Sequence, residues 1–292
     1  MPRRSRNKPL PFLEVLFIAH CSLLIAHCSL LIVHCSLLKY LTIDRHQWHD
    51  RAITLTAEQE RYLRRVLRLR DGDRFVALHG DGGWWLARLD PSGAIAEKPL
   101  PGNTELPNRI ILLAGMPKGN AFDEVVRQAT ELGVGQIVPV QSDRTLLQPS
   151  DRKLDRWRRI VKEAAEQSER FVVPEVSDPV SFSVAVSSCI AETKYICAAR
   201  QNAPSLLSQL LALPPEGRGT IAIATGPEGG WTEAEIATAI ASGFTVVSLG
   251  ARILRAVTAA IASISAIAAV AETFNSDVRI NPESGGRAKK QI

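Results

Sequence analysis

From residue 109 onward, apolar runs of strand length alternate with stretches of helical period. RIILLAG is followed by AFDEVVRQATELG, then QIVPV, DRKLDRWRRIVKEAAEQSE, KYICAA, PSLLSQLLAL, TIAIAT, TEAEIATAIASG, TVVSLG and AVTAAIASISAIAAVAETF. The strand runs show little polar–apolar alternation, so both of their faces must be covered. Only a parallel sheet clothed by helices on each side meets that demand. The helical runs supply the clothing: Leu154, Trp157, Val161 and Ala164 fall on one stripe, and Gly133 stands where a helix C-cap needs it. This part of the chain is expected to be α/β.

Residues 40–100 read differently. RAITL, RFVALH and WWLARL are short strand-like runs separated by DGD and GDGG turns. AEQERYLRRVLRL reads as one helix with Leu63, Val66 and Leu67 turned inward. The pattern predicts a small, mostly β barrel or sandwich. PLPGNTELPN then reads as a linker, which puts a domain boundary near residues 101–108.

Ahead of both lies a seven-residue unit written three times, IAHCSLL IAHCSLL IVHCSLL, over residues 18–38. The run is uncharged and long enough to cross a bilayer, and a basic stretch precedes it. Every unit nevertheless carries a His and a Ser, which are costly in hydrocarbon. His and Cys ligands seven residues apart on a helix are separated by roughly 10 Å, too far for one ion. A coiled coil needs more heptads and flanking charges. Near-identity of the copies fits duplication at the DNA level, so residues 1–39 are expected to be an extension outside the fold. A signal or anchor segment is the alternative.

The net charge of +5 has to be read with that extension in mind. Residues 1–39 carry +4 and residues 276–292 carry +2, which leaves the middle near −1. Overall basicity is therefore no argument for a nucleic-acid partner, and only local clusters can be. One such cluster is RYLRRVLRLR, with Arg61, Arg64, Arg65, Arg68 and Arg70 in ten residues. Guanidinium forks suit phosphates, so the cluster is a candidate RNA contact, against the alternative of a solvated helix face. Trp84 and Trp85 could stack on bases, or could divide between core and surface. Of the five cysteines, three belong to the repeat; Cys189 and Cys197 form no disulfide framework, which fits a reducing cytoplasm.

Ligands of parallel sheets bind beyond the carboxyl ends of the strands. Those ends here carry MPKGN, RQN, GPEGGW and GARILR. Gly226, Gly229 and Gly230 leave backbone N–H and C=O groups open to a small molecule. The loop is neither G-x-G-x-x-G nor a P-loop, so a nucleotide phosphate is not its natural guest.

GPEGGWTEAEI followed by LGARILRAVTAAIASI resembles the paired signature of the bacterial 16S rRNA uridine N3-methyltransferases, of the SPOUT class. MPKGNAFDEVVRQATELGVGQIVPVQSDR and RWRRIVKEAAEQSERFVVPEV resemble further family segments, and YLRRVLRLRDGD resembles its N-terminal RNA-binding domain. The resemblance implies a SPOUT trefoil-knotted parallel sheet at 107–275, a PUA-like β-barrel at 40–102, and a disordered tail at 276–292. It implies a homodimer, acting in the cytoplasm on 16S rRNA in the 30S subunit, with S-adenosyl-L-methionine as cofactor, no metal and no membrane. The cofactor site carries over onto Thr225, Gly226, Pro227, Glu228, Gly229 and Gly230; onto Ser248, Leu249 and Gly250; and onto Ile253, Leu254 and Thr258.

Uracil N3 must lose a proton to attack, so a group must accept it or stabilise the anion. Arg255 is the candidate for holding negative charge on the base or orienting a phosphate. Glu228 is a candidate proton acceptor, against a role in bonding the loop or capping the next helix. Candidate RNA contacts are Arg61, Arg64, Arg65, Arg68, Lys118, Arg144 and Arg170, with Arg152, Arg156 and Arg159 on the basic helix. One departure stands out: where many members have R-T-E-T-A, this chain has Arg255-Ala256-Val257-Thr258-Ala259, with no acidic side chain. The competing readings are a 2′-O-methyltransferase of tRNA or rRNA from the same class, a non-catalytic RNA-binding relative, and a protein anchored through residues 15–38.

Overall fold

The structure is a computed structural model that describes residues 39–79, 82–145, 148–214 and 219–280, with side chains of the last helix described through Phe274. The heptad repeat at residues 18–38 and the tail beyond residue 280 lie outside the described residues.

The first domain contains β1 (Tyr40–Ile43), β2 (Trp48–His49), β3 (Ala52–Ile53), α1 (Ala57–Arg61), β4 (Arg74–His79), β5 (Trp84–Asp90) and β6 (Gly93–Leu100). The sheet order is β1-β4-β5-β6-β3-β2, with β1 parallel to β4 and the other pairs antiparallel. Ile43, Ile53, Leu63, Phe75, Ala87 and Leu89 close its core. A capping box starts α1: Gln59 N–H donates to Thr56 Oγ1 at 3.2 Å, and Thr56 N–H donates to Gln59 Oε1 at 2.9 Å.

The helix expected over AEQERYLRRVLRL changes character after Arg61. Residues Tyr62–Val66 form a π-helical turn closed by Leu67 N–H to Tyr62 O at 2.9 Å. The wider turn breaks the 3.6-residue stripe. Leu63 is buried, but Val66 is 63% exposed, which corrects its inward placement. The two tryptophans are both half-buried among other rings. Trp84 packs edge-on to Tyr40 at 5.7 Å and against Phe171 at 4.5 Å, and Trp85 packs against Trp48 at 6.0 Å.

The second domain runs β7 (Arg109–Gly115), α2 (Ala121–Glu131), β8 (Gln136–Gln141), α3 (Asp151–Gln167), β9 (Glu175–Val176), β10 (Val180–Ser181), α4 (Phe182–Ser188), β11 (Thr193–Cys197), α5 (Leu206–Leu211), β12 (Thr220–Thr225), α6 (Glu233–Ala241), β13 (Thr245–Val247) and α7 (Ala256–Ile280). Its strands are all parallel, in the order β10-β8-β7-β12-β11-β13, with β9 beside β8. Both faces are covered, as the apolar strands demand. Ile110, Leu112, Ile221 and Ile223 face Phe122, Trp157 and Ile264 on one side. Ile111, Leu113, Ala222 and Ala224 face Phe182, Trp231 and Phe244 on the other.

β13 sits at the sheet edge beside β11, while α7 returns to the centre against β7 and β12. The segment between them crosses the β11–α5 connection and is bonded to it. Ser248 N–H donates to Pro204 O at 2.8 Å, and Leu206 N–H donates to Ser248 O at 3.0 Å. This crossing belongs to a trefoil-knotted sheet, an exception to the usual unthreaded connection. α7 continues to Ile280, so residues 276–280, expected in the tail, belong to this helix. Its segment Ala256–Phe274, with a mean hydropathy of 1.7, is apolar enough to span a membrane. Instead Ala260, Ile264 and Ile267 of this segment are buried in the core.

The two domains meet along α3. Thr42 N–H donates to Glu166 Oε1 at 2.7 Å, and Lys162 pairs with Asp44 at 2.7 Å. Arg170, expected to meet RNA, is instead only 4% exposed. Its guanidinium pairs with Glu105 of the linker and donates to Thr130 O at 3.1 Å and Val134 O at 2.7 Å. Glu105 also accepts from Phe171 N–H at 2.9 Å and Val172 N–H at 3.1 Å. Every donor of this hub faces protein, so Arg170 is corrected to a structural residue.

Arg170→Ala leaves the part-buried Glu105 with only its two main-chain donors and removes the bonds to Thr130 O and Val134 O, and should lower stability by about 3–5 kcal/mol, read from the urea midpoint. Glu166 gives a pH-dependent test. Burial raises its pKa above the ordinary value, and the Thr42 hydrogen bonds oppose that rise. A carboxyl raised on folding contributes stability that is complete below its unfolded pKa and is lost as pH rises through the folded value. Glu166→Gln should therefore gain on the parent protein as pH climbs from about 4 toward neutrality. Parallel thermal melts across that range check it, and a constant difference would remove the burial argument.

Candidate active site

The carboxyl ends of β12, β11 and β13 converge on one cavity of about 370 Å³, inside the range of about 300–1,000 Å³ usual for small-molecule sites. Its wall takes Gly226, Pro227, Glu228, Gly229 and Gly230 from the first loop, Ser248, Leu249 and Gly250 from the second, and Ile253 and Leu254 from the approach to α7. Thr225 is buried in β12, and Thr258 is exposed on α7; neither belongs to the wall. The third strand end adds residues outside the expected cofactor set: Cys197, Ala198, Ala199, Arg200 and Gln201, with Trp231, Glu233, Ile236 and Arg252 from other segments. The signal for the first five was the position of RQN just past an apolar strand.

Each loop is held by bonds that leave backbone groups available. Gly230 N–H donates to Pro227 O at 2.8 Å, and Gly230 adopts φ +66°, where a side chain would be strained. A Cβ on Gly226 would lie 3.1 Å from Gly230 Cα, and one on Gly229 would lie 3.1 Å from Arg144 Cβ. Arg144 Nη1 donates to Gly229 O at 2.6 Å and to Trp231 O at 3.3 Å. The residue expected at the RNA surface thus also braces the glycine loop. Glu228 Oε1 accepts from Lys118 N–H at 3.0 Å, which ties this loop to the one after β7. That is the loop-bonding role weighed against its role as base. Downstream, Glu235 accepts from Thr232 N–H at 2.7 Å and from Asp143 N–H at 3.0 Å, fixing the start of α6. In the second loop Ser248 Oγ accepts from Gly250 N–H at 3.1 Å.

The arrangement presents apolar wall, open backbone polar groups and few titratable side chains. The Cys197 thiol is pushed up to about 12 by burial, so it is uncharged at neutral pH and no nucleophile. No cluster of His, Cys, Asp and Glu suited to a metal occurs among the described residues. The cavity can bind and orient a small molecule through backbone contacts while reacting groups come from the ligands themselves. Arg255 is exposed, outside the wall, and its carbonyl accepts from Ala259 N–H at 2.8 Å at the start of α7. Val257, where the resembling family often has Glu, packs against the core.

The basic residues of the first domain divide in the same way. Arg64 pairs with Glu60 at 3.1 Å and Asp71 at 2.8 Å and donates to Asp90 O at 3.0 Å. Arg61 ends α1, Arg65 lies in the π-helical turn, and Arg68 follows it with φ +59°; all three are exposed. On α3, Arg156 pairs with Asp123 at 2.7 Å, while Arg159 faces Glu163 at 3.8 Å. Lys118 is exposed on the loop after β7.

Comparison with known proteins fits this geometry. Residues 104–268 match the family described as RNA methyltransferase domain, and residues 55–98 match the RNA methyltransferase PUA domain. The ribosomal RNA small subunit methyltransferase E of Synechocystis is 45% identical over 240 residues, covering 80% of this chain and 78% of that protein. The protein of that name from Bacillus subtilis is 31% identical over 237 residues, covering 77% and 92%. A crystal structure of the Neisseria gonorrhoeae enzyme of that name, bound to S-adenosyl methionine, superposes with a TM-score of 0.69 at 31% identity, covering 80% of this chain and 98% of that one. With its mixed-sheet first domain and its knotted parallel sheet, the chain belongs to the RNA methyltransferase family of the ribosomal RNA small subunit methyltransferases E.

Proposed function

We propose that this protein transfers a methyl group from S-adenosyl-L-methionine to N3 of a uridine in 16S rRNA, working as a homodimer on the 30S subunit in the cytoplasm. The observation that carries the reading is the cavity itself. Three loops at adjacent parallel strand ends form its wall, and the glycine loop among them is tied to its neighbours through Glu228 and Arg144. The residues present fit the donor. Gly226–Gly230 and Ser248–Gly250 would hold its polar edges, and Leu249, Leu254 and Ile236 offer apolar wall for its adenine. When bound, the sulfonium supplies an electrophilic methyl, so the protein contributes mainly positioning and charge stabilisation.

The remaining parts follow from placement. The PUA-like domain is locked to α3, so its exposed arginines keep a fixed relation to the cavity, as phosphate contacts require. Arg255 stands outside the wall at the start of α7, suited to an RNA phosphate. The Ala256–Phe274 segment of α7 is strongly apolar yet only 33% buried, which supports coverage by a second copy.

Incubation with unmethylated 30S subunits and labelled cofactor, followed by nucleoside analysis, should yield N3-methyluridine. A 2′-O-methylated nucleoside, or none, would sink the assignment. Arg255→Ala should lower kcat/KM at least about tenfold while calorimetric cofactor affinity stays within about twofold. Equal activity of that variant would remove Arg255 from the reaction. A Cβ on Gly115 would stand 2.5 Å from Pro227 Cδ and push the glycine loop. Gly115→Ala should therefore raise the cofactor Kd at least about tenfold, and an unchanged Kd would dissociate that loop from the donor.

A further inference from the structure

The cavity wall poses a chemical problem that the reading above leaves open. An imide nitrogen attacks only after losing its proton, yet among the described residues the wall holds no His, Asp, Lys or Tyr. Its carboxylates are Glu228 and Glu233. Glu228 is engaged with the Lys118 N–H, and Glu233 lies in the first turn of α6. The wall is richer in cations, with Arg144, Arg200 and Arg252. Arg144 is committed to two loop carbonyls. The side chains of Arg200 and Arg252 have no hydrogen-bond or ion-pair partner among the described residues, and both residues are exposed.

The two arginines come from neighbouring strands, just past the paired ends Cys197 of β11 and Val247 of β13. Arg200 adopts φ +62°, a left-handed conformation that few non-glycine residues take. Such backbone persists where the surroundings over-determine it, commonly beside functional sites.

We propose that Arg200 and Arg252 are catalytic residues that hold the anionic form of the target base, so that the reaction proceeds without a carboxylate base. The inference rests on the proposed uridine N3 transfer and deepens it. The N3–H bond breaks, and its proton passes to water or hydroxide at the cavity mouth. The electron pair left on N3 is shared with the flanking carbonyl oxygens O2 and O4, where guanidinium N–H groups donate to it. That pair then forms the bond to the methyl carbon, and the carbon–sulfur pair stays on sulfur. Donors placed where charge develops lower the pKa of the bound imide, the same service a general base performs from the other side.

The test uses the full chain, saturating S-adenosylmethionine and unmethylated 30S subunits, with Arg200→Gln, Arg252→Gln and the matching Lys variants. Each Gln variant should keep its unfolding midpoint and its cofactor affinity within about twofold, while kcat at neutral pH falls about 100-fold. The loss should shrink as pH rises, because the variant profile keeps climbing with hydroxide after the parent has levelled. Lys variants should recover part of the rate. Raised KM for 30S at unchanged kcat, with the salt dependence of binding reduced by about one charge, would make these residues phosphate contacts and overturn the proposal. Lost cofactor affinity at full kcat would assign them to the donor and overturn it equally, as would unchanged kinetics. If the unaltered chain makes no N3-methyluridine, the proposed function falls and this assignment with it; if it does and the variants match it, this assignment alone falls.

Discussion

The structure depends on one constraint, the satisfaction of backbone polar groups where β11 and β13 end side by side. Ser248 gives its N–H to Pro204 O and takes the N–H of Leu206, so two loops far apart in sequence become one wall. Where such groups are shielded from water, leaving them without partners is expensive, because each orphaned group costs as much as a lost hydrogen bond. The crossing therefore does two jobs. It satisfies main-chain groups of both loops, and it ties together two parts of the cavity rim. A wall fixed in advance spares the ordering that binding would otherwise require.

The same logic explains the polar side chains around the glycine loop. Arg144, Glu228 and Glu235 look like reactive groups in sequence, but each is bonded to main chain. They act by holding carbonyls and N–H groups outward, so that the opposite side of the loop can face a ligand. Glu105 and Arg170 repeat the arrangement at the domain junction, where one carboxylate gathers a guanidinium and two main-chain donors. Buried ion pairs contribute little net stability when compared with apolar packing, but they tolerate no partial loss. The junction is thus well suited to fixing one angle between the PUA-like domain and the cavity, on which any contact with a rigid RNA depends.

Much of this was legible in the sequence, for physical reasons that can be named. β7, β12 and their helices announced themselves because both faces of each strand are buried, leaving unbroken apolar runs. The glycine loop was legible because Gly residues cluster at the end of such a run. β9, β10 and α4 were not read, since two-residue strands and a seven-residue helix carry too little periodicity. Val66 was misplaced because a π-helical turn changes the period within one helix. Arg170 was misread because an arginine at a helix end looks solvated until its carboxylate partner, 65 residues away, is brought beside it. Arg200 carried no motif of its own, and Arg252 sat inside GARILR without being read as a site residue. Their relation arises only when β11 and β13 pair, and that pairing follows from the chain crossing rather than from local propensity.

The replacement of an acidic residue by Val257 draws these threads together. Val257 is partly buried against the core, so at this position an apolar side chain stabilises the seat of α7. A carboxylate there would need a partner, because a buried charge without one shifts its pKa or destabilises the fold. Losing it removes one negative charge from beside a site that has to host an anionic base. Fewer carboxylates and unpaired guanidiniums act in the same direction: both raise the local potential and favour the deprotonated imide. The change from Glu to Val is thus compatible with the reaction, provided that stabilisation of the anion, and not proton abstraction by a side chain, is what the protein supplies.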